Sequence, residues 1–297
     1  MNATAERRPL GPFSVSPVGF GAMRLTGPNV FGPPENRADA IALLREAVEL
    51  GVDHIDTAQY YGPAVVNELI REALSPYSPH LVLVSKVGAR RDGHGGVLAD
   101  DEPRQLRRGI EENLETLCLD ALPIVNLRLM RGTEPDALFD EQLGAMIAAR
   151  DDGLIQAIGL SNVTLAHLLQ ALRVTEIACV QNAFHFANRS SQPVLDECTR
   201  RGIAFVPFAP LGSGSADTKA VLAAPQVARV AARLGCTPAQ VALAWLLAVS
   251  PNVLLIPGTS SRRHLIENLV ATRIWLDADV MQQLSTEVIT RPSGGRR

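Results

Sequence analysis

Lysine is scarce in this sequence, with only Lys86 and Lys219 among its 28 basic residues. Tyrosine is scarcer than expected too: Tyr60, Tyr61 and Tyr77 are the only three in 297 residues. The four cysteines, Cys118, Cys179, Cys198 and Cys236, are too scattered for a CxxC redox pair or a zinc knuckle, and they read as reduced thiols. The six histidines form no HxxxH or similar ligand spacing, so no metal is expected. No apolar run approaches the roughly 18 residues of a membrane span, and residues 1–7 contain no apolar leader core. A net charge of −3 without a charged block gives no electrostatic reason to bind nucleic acid. These absences predict a cytoplasmic protein acting on a small molecule, as a monomer or small homo-oligomer.

What is present is alternation. Short apolar runs near 18–23, 54–58, 81–87, 124–129, 155–160, 178–181, 204–208 and 253–256 read as strands. Amphipathic stretches at 37–50, 65–74, 104–117, 136–150, 165–172, 193–201, 238–247 and 263–271 read as helices. Eight such pairs predict an α/β fold, a (β/α)8 TIM barrel formed as a single domain over 1–297. Residues 8–16 predict a hairpin that caps one end, and 277–290 predict an extra C-terminal helix. Residues 1–7 and 291–297 read as disordered tails. Three connections, 24–36, 90–103 and 211–222, follow strands and read as long loops at the C-terminal face, where barrel active sites form.

The scarce residues then converge. Asp56 ends the second strand, Tyr60 and Tyr61 follow it, and Lys86 ends the apolar third strand. A structural Asp56–Lys86 ion pair is the plain alternative, but buried pairs contribute little stability and more often mark function. An ammonium near a phenol favours the phenolate, and a neighbouring carboxylate holds the ammonium in place. Such a phenol suits proton exchange with a carbonyl or alcohol oxygen. No side chain supplies hydride, so a nicotinamide is implied.

Asp56-Thr57-Ala58 with Tyr61-Gly62, Ser85-Lys86 and Gly159-Leu160-Ser161-Asn162 resemble the aldo-keto reductase family. So do Gln181-Asn182, Phe208-Ala209-Pro210-Leu211-Gly212 and Ile256-Pro257-Gly258-Thr259-Ser260 with Glu267-Asn268. The resemblance covers nearly the whole chain and implies carbonyl reduction with NADPH/NADP+. By it, Asp56, Tyr61 and Lys86 are catalytic; Ser161, Asn162 and Gln181 hold the carboxamide; Phe208 stacks on the nicotinamide ring. Pro210, Leu211, Gly212, Ser213 and Gly214 would pass over the pyrophosphate, with backbone N–H groups as donors. Ile256, Gly258, Thr259, Ser260, Arg262, His264, Glu267 and Asn268 would hold the adenosine end at a helix start. Many relatives carry lysine where this chain has Gly258, which weakens the preference for NADP over NAD. Arg262 and Arg263 also read as a solvated helix face.

Two departures stand out. Arg128 occupies the position of the family's histidine, as in a branch resembling pyridoxal reductases, and it would serve as a fixed cation beside the substrate. Asn126 falls on the same side of the strand, and with Met23, Phe31 and Tyr60 it is expected to line the substrate pocket. Ala183-Phe184-His185 replaces a more polar stretch of that branch, which suggests an altered pocket, with His185 either reaching it or serving structure. A specialised-metabolism enzyme with another carbonyl or a redox-neutral step, and an NADP(H)-binding regulatory protein, stand as the alternatives.

Overall fold

Strand and helix alternate along the chain as the apolar runs require. The computed structural model describes residues 7–212 and 214–286. In order, the elements are β1 (Arg8–Leu10), β2 (Phe13–Val15), β3 (Phe20–Gly21), α1 (Arg37–Glu49), β4 (His54–Asp56) and α2 (Val65–Leu74). Then come β5 (Val82–Arg91), β6 (Val97–Asp100), α3 (Pro103–Leu117), β7 (Leu122–Arg128), α4 (Ala137–Asp151), β8 (Ile155–Ser161) and α5 (Leu165–Ala171). The chain continues with β9 (Cys179–Gln181), α6 (Gln192–Arg201), β10 (Ala204–Phe205), α7 (Gly214–Leu222), α8 (Pro225–Leu234), α9 (Pro238–Val249), α10 (Arg262–Val270) and α11 (Ala278–Thr286).

Seven strands run parallel in the order β3, β4, β5, β7, β8, β9, β10. Residues 253–255 occupy the eighth place through single parallel bridges, Phe205 to Val253 and Val18 to Leu255, which close the ring. The result is the TIM barrel that the alternation predicts. The eighth strand and the last residues of 204–208 are bridges rather than continuous ladder.

Two apolar cores follow from the period-two alternation of side chains. Val82, Val84, Ile124, Cys179, Ala204, Val206, Leu254 and Ile256 fill the barrel interior, while Ile55, Val87, Val125, Leu127 and Ile158 pack outward against the helices. Leu10 and Val15 of the β1/β2 hairpin join the interior cluster and seal that end. Arg8 fastens the hairpin by donating to the carbonyls of Val253 at 2.6 Å and Leu247 at 3.2 Å.

Two of the expected long loops contain regular structure. Within 90–103, β5 extends past the barrel rim and folds back as β6, pairing Arg91 with Val97 and Gly88 with Asp100. Asp92 makes the turn by accepting from the backbone N–H groups of His94 and Gly96, each at 2.8 Å. Within 211–222 the chain forms α7, and α8 follows without having been anticipated; Val227 and Val230 bury its apolar face. The third, 24–36, begins inside one short 3-10 turn, Ala22–Leu25, and holds a second, Pro28–Val30. The expected C-terminal helix is described as far as Thr286; its remainder, Ser213, residues 1–6 of the first tail and the tail 291–297 lie outside the described residues. Among the described residues, no single helix is long and apolar enough to cross a membrane.

Candidate active site

The strand register builds the site. Arg128 of β7 pairs with Ser161 of β8, and Ser161 pairs with Gln181 of β9, so three inward side chains share the C-terminal rim. Lys86, beside Asn126 in the register, and Asp56 at the end of β4 complete that rim. Parallel strands ending together place their last inward residues in one layer.

Lys86 is 2% exposed, and its ammonium donates to Asp56 Oδ1 at 2.5 Å and to the Thr57 carbonyl at 2.9 Å. The other carboxylate oxygen of Asp56 accepts from Gln181 Nε2 at 2.7 Å. The buried acid therefore has a charged and a neutral donor, as a buried carboxylate requires. Lys86 Nζ lies 5.0 Å from the Tyr61 ring centre, and Tyr60 meets Tyr61 edge to face at 5.1 Å.

The phenol of Tyr61 does not titrate in the direction the sequence suggests. Burial pushes it well above its usual value and Asp56 pushes it further, against the opposing effects of Arg128 and Arg91. The nearby Lys86 ammonium, held at 2.5 Å by Asp56, does not outweigh that burial. Tyr60 is likewise raised by burial. Both hydroxyls hold their protons throughout the neutral range.

Behind this layer lies a polar network that sequence reasoning missed. Asn113 of α3 accepts from Ser85 Oγ at 2.5 Å and from Asn67 Nδ2 at 2.9 Å, and it donates to Gln59 Oε1 at 3.1 Å. Asn67 of α2 accepts from Thr57 Oγ1 at 2.8 Å. The network thus holds the residues flanking both Asp56 and Lys86. Its signal was available: Asn67 and Asn113 sit on the apolar faces of their helices, where each is fully buried.

Arg128 is half-buried, with its guanidinium carbon 5.8 Å from the Phe208 ring centre, and no carboxylate among the described residues pairs with it. Asn126 lies one layer deeper than expected. It is fully buried, its Oδ1 accepts from Cys179 Sγ at 3.3 Å, and its Nδ2 has no partner. Met23 is 40% exposed at the rim, and Phe31 packs against Gly95 at the tip of the β5/β6 arm. Arg91 on that arm is a second residue missed from the sequence, where it falls inside the expected 90–103 loop.

The expected cofactor residues surround the same mouth. Ser161 Oγ is buried without a partner, a donor and acceptor suited to a carboxamide, and Asn162 beside it is held by its own bond to the Leu129 carbonyl at 2.8 Å. Gln181 is engaged with Asp56 through its nitrogen, which turns that amide toward the acid. Phe208 joins Ala183 in a parallel bridge, and Pro210, Leu211 and Gly212 follow it; Gly214 begins α7. After Ile256, a Cβ on Gly258 would come within 2.7 Å of the Gly21 carbonyl oxygen. The close approach of β3 thus leaves no room for a side chain there unless the backbone shifts. Thr259 Oγ1 accepts from Ser261 N at 3.0 Å and shapes the start of α10, with Ser260 exposed between them.

The basic residues at that helix start are less available than expected. Arg262 is held by Glu46 of α1 at 2.6 Å, and Arg263 turns toward Glu267 at 3.5 Å, leaving His264 exposed and Asn268 buried on the helix. The Ala183-Phe184-His185 departure also reads differently in three dimensions. Phe184 stacks on Trp245 in the outer core at 6.1 Å, and His185 is buried, accepting from Ala187 N at 3.2 Å in a tight turn. Phe184 and His185 serve packing and turn geometry, and Ala183 alone adjoins Phe208.

The chain is similar to known proteins along nearly its whole length. The family model described as Aldo/keto reductase family matches residues 17–287. Pyridoxine 4-dehydrogenase of Escherichia coli strain K12 is 46% identical over 278 residues, covering 93% of this chain and 96% of that protein. Among solved structures, a thermostable aldo-keto reductase in complex with the inhibitor epalrestat is 30% identical with a TM-score of 0.79, covering 94% of this chain and 98% of that one. An aldo-keto reductase from Klebsiella pneumoniae in complex with NADPH is 26% identical with a TM-score of 0.77, covering 94% of each chain. With a parallel barrel that gathers Asp56, Lys86 and Tyr61 at its C-terminal rim, and a family model matching residues 17–287, the chain belongs to the Aldo/keto reductase family of nicotinamide-dependent oxidoreductases.

Proposed function

We propose that the protein uses NADPH to reduce an aldehyde or ketone of an aromatic or heteroaromatic substrate to the alcohol, with pyridoxal the leading candidate. The observation that carries this reading is the buried contact of Lys86 with Asp56 beneath the protonated Tyr61. The 46% identity to a pyridoxine 4-dehydrogenase supports the choice of substrate.

The residues present fit a nicotinamide. The unpartnered Ser161 hydroxyl, with Asn162 beside it, would hold its carboxamide, and Phe208 would lie against its ring. Bound NADPH supplies the hydride that no side chain provides. Tyr61 holds a proton at Oη and delivers it to the carbonyl oxygen, and its raised titration keeps that proton in place at neutral pH. The Lys86 ammonium stabilises the negative charge left on the phenol oxygen, Asp56 fixes the ammonium, and Gln181 fixes Asp56. Arg128, with its fork of N–H donors, orients the substrate oxygen from the place of the family's histidine.

The test is loss of NADPH absorbance on addition of pyridoxal or a small aldehyde panel, for wild type and Tyr61→Phe. Turnover by wild type alone supports the assignment. No turnover by either, with cofactor binding intact, would favour a binding role instead.

A further inference from the structure

The acidic and basic groups at the mouth do not balance. Around the β5/β6 arm, Arg108 pairs with Asp100 at 2.9 Å, Arg131 pairs with Asp101 at 3.0 Å, and Arg90 reaches Asp100 at 3.6 Å. Asp92 is turned into the arm's own tip. Every carboxylate of the arm is thereby engaged, yet Arg91 and Arg128 have none among the described residues.

Arg91 is half-buried. One of its terminal nitrogens closes the turn by donating to the Gly95 carbonyl at 2.6 Å, but its Nε is buried with no acceptor. A hairpin tie alone needs no guanidinium. The arm starts beside Arg128: a Cβ on Gly88, three residues before Arg91, would lie 2.3 Å from the Arg128 carbonyl oxygen. Gly95 at the tip packs against Phe31. Both cations act on the same phenol, since both oppose the upward push on Tyr61. Asp56 cannot neutralise them, because Lys86 and Gln181 occupy its two oxygens.

We propose that Arg91, with Arg128, forms an anion-recognising wall of the substrate pocket, so that the preferred substrate is a carbonyl compound carrying a carboxylate, phosphate or phenolate. This rests on the carbonyl-reductase reading above. A guanidinium pair of this kind selects planar anions through paired N–H donors, and it weakens as salt screens it. Arg91 is the specificity-determining member, because it belongs to the arm rather than to the rim that holds the reacting oxygen.

The test compares matched aldehydes on the full-length protein with NADPH: benzaldehyde against 4-carboxybenzaldehyde, and pyridoxal against pyridoxal 5′-phosphate. At low ionic strength the wild type should favour 4-carboxybenzaldehyde in kcat/KM by about tenfold or more, mostly through KM, and lose that advantage at about 0.5 M salt. The second pair distinguishes phosphate from phenolate as the favoured anion. Arg91→Met should remove most of the anionic advantage and Arg91→Lys should restore part of it. Turnover of benzaldehyde with no anionic advantage and no salt dependence overturns this proposal alone. Loss of all carbonyl turnover overturns the reductase reading and this one with it. An anionic advantage that survives unchanged in folded Arg91→Met overturns the role of Arg91. The wild-type salt series needs no variant to fold.

Discussion

Replacing Lys86 with methionine probes the centre of the site, because its volume is nearly conserved while its charge is lost. The substitution leaves the Asp56 carboxylate 5% exposed, with Gln181 as its one remaining side-chain donor at 2.7 Å. Breaking a buried pair by removing one partner costs about 3–5 kcal/mol, most of it the penalty of an uncompensated charge. Lys86→Met should therefore lower unfolding free energy by about that amount in urea titration followed by tryptophan fluorescence. Adding Asp56→Asn removes the stranded charge, so the double variant should recover about half or more of the loss. Both variants should reduce carbonyls at a rate lower by about 10²–10⁴, since neither retains the ammonium that stabilises the phenolate. The decisive comparison is the double-mutant cycle. If the double variant is no more stable than Lys86→Met, the loss comes from packing, and the account of a desolvated, mutually dependent pair is wrong.

Other expectations are as direct. Tyr61→Phe should keep NADPH binding, measured by fluorescence quenching, while reduction falls by about 10²–10⁴. The rate of reduction should show no histidine-like limb between about pH 6 and 8, because Tyr61 is raised by burial and an arginine stands where the family carries its histidine; a limb in that window would count against the assignment. For stability the sign is set by the same shift. The raised Tyr60 and Tyr61 favour folding fully below the ordinary phenol pKa near 10, and that contribution is lost as pH climbs from there through their folded values, which alkaline melts would register. Asn113→Ala strands Ser85, Asn67 and Gln59 together and should cost about 2–5 kcal/mol, with a parallel fall in kcat. Gly88→Ala, at φ +107° and against the Arg128 carbonyl, should cost more than about 1 kcal/mol and disturb the arm.

Much of the architecture could be read from the chain because barrel strands and helices carry different periods. Val65–Leu74 is a helix with the bounds the pattern predicts, and Asn36, Asp136 and Thr164 cap theirs with side-chain bonds to early N–H groups. The arm escaped notice because Arg91–Val97 pairing depends on a turn built by one aspartate, and its glycines read equally well as loop. The site was legible where rarity marked it, as with Lys86 and Tyr61. It was illegible where partnership decides meaning: Arg262 was expected at the cofactor yet is bound by Glu46, while Arg91, lost in an expected loop, faces no acid among the described residues. The Tyr61 shift likewise depends on burial, which no local pattern reports.

The ring of strands is not equally strong all round. Between β10 and β3 it is joined, among the described residues, by two single bridges through Val253 and Leu255 rather than by continuous ladder, with Arg8 laced across the same segment from the hairpin. Amide hydrogen exchange should find this seam the first part of the barrel to open, and clipping the hairpin should loosen it further. Gly258 and the start of α10 continue directly from that seam, so a ligand held there would tighten the ring by mass action. Closure of the barrel and occupancy of its cofactor site are then one equilibrium, observable as slowed exchange at Leu254 and Leu255, whose amides bond across the seam, when the nucleotide is added.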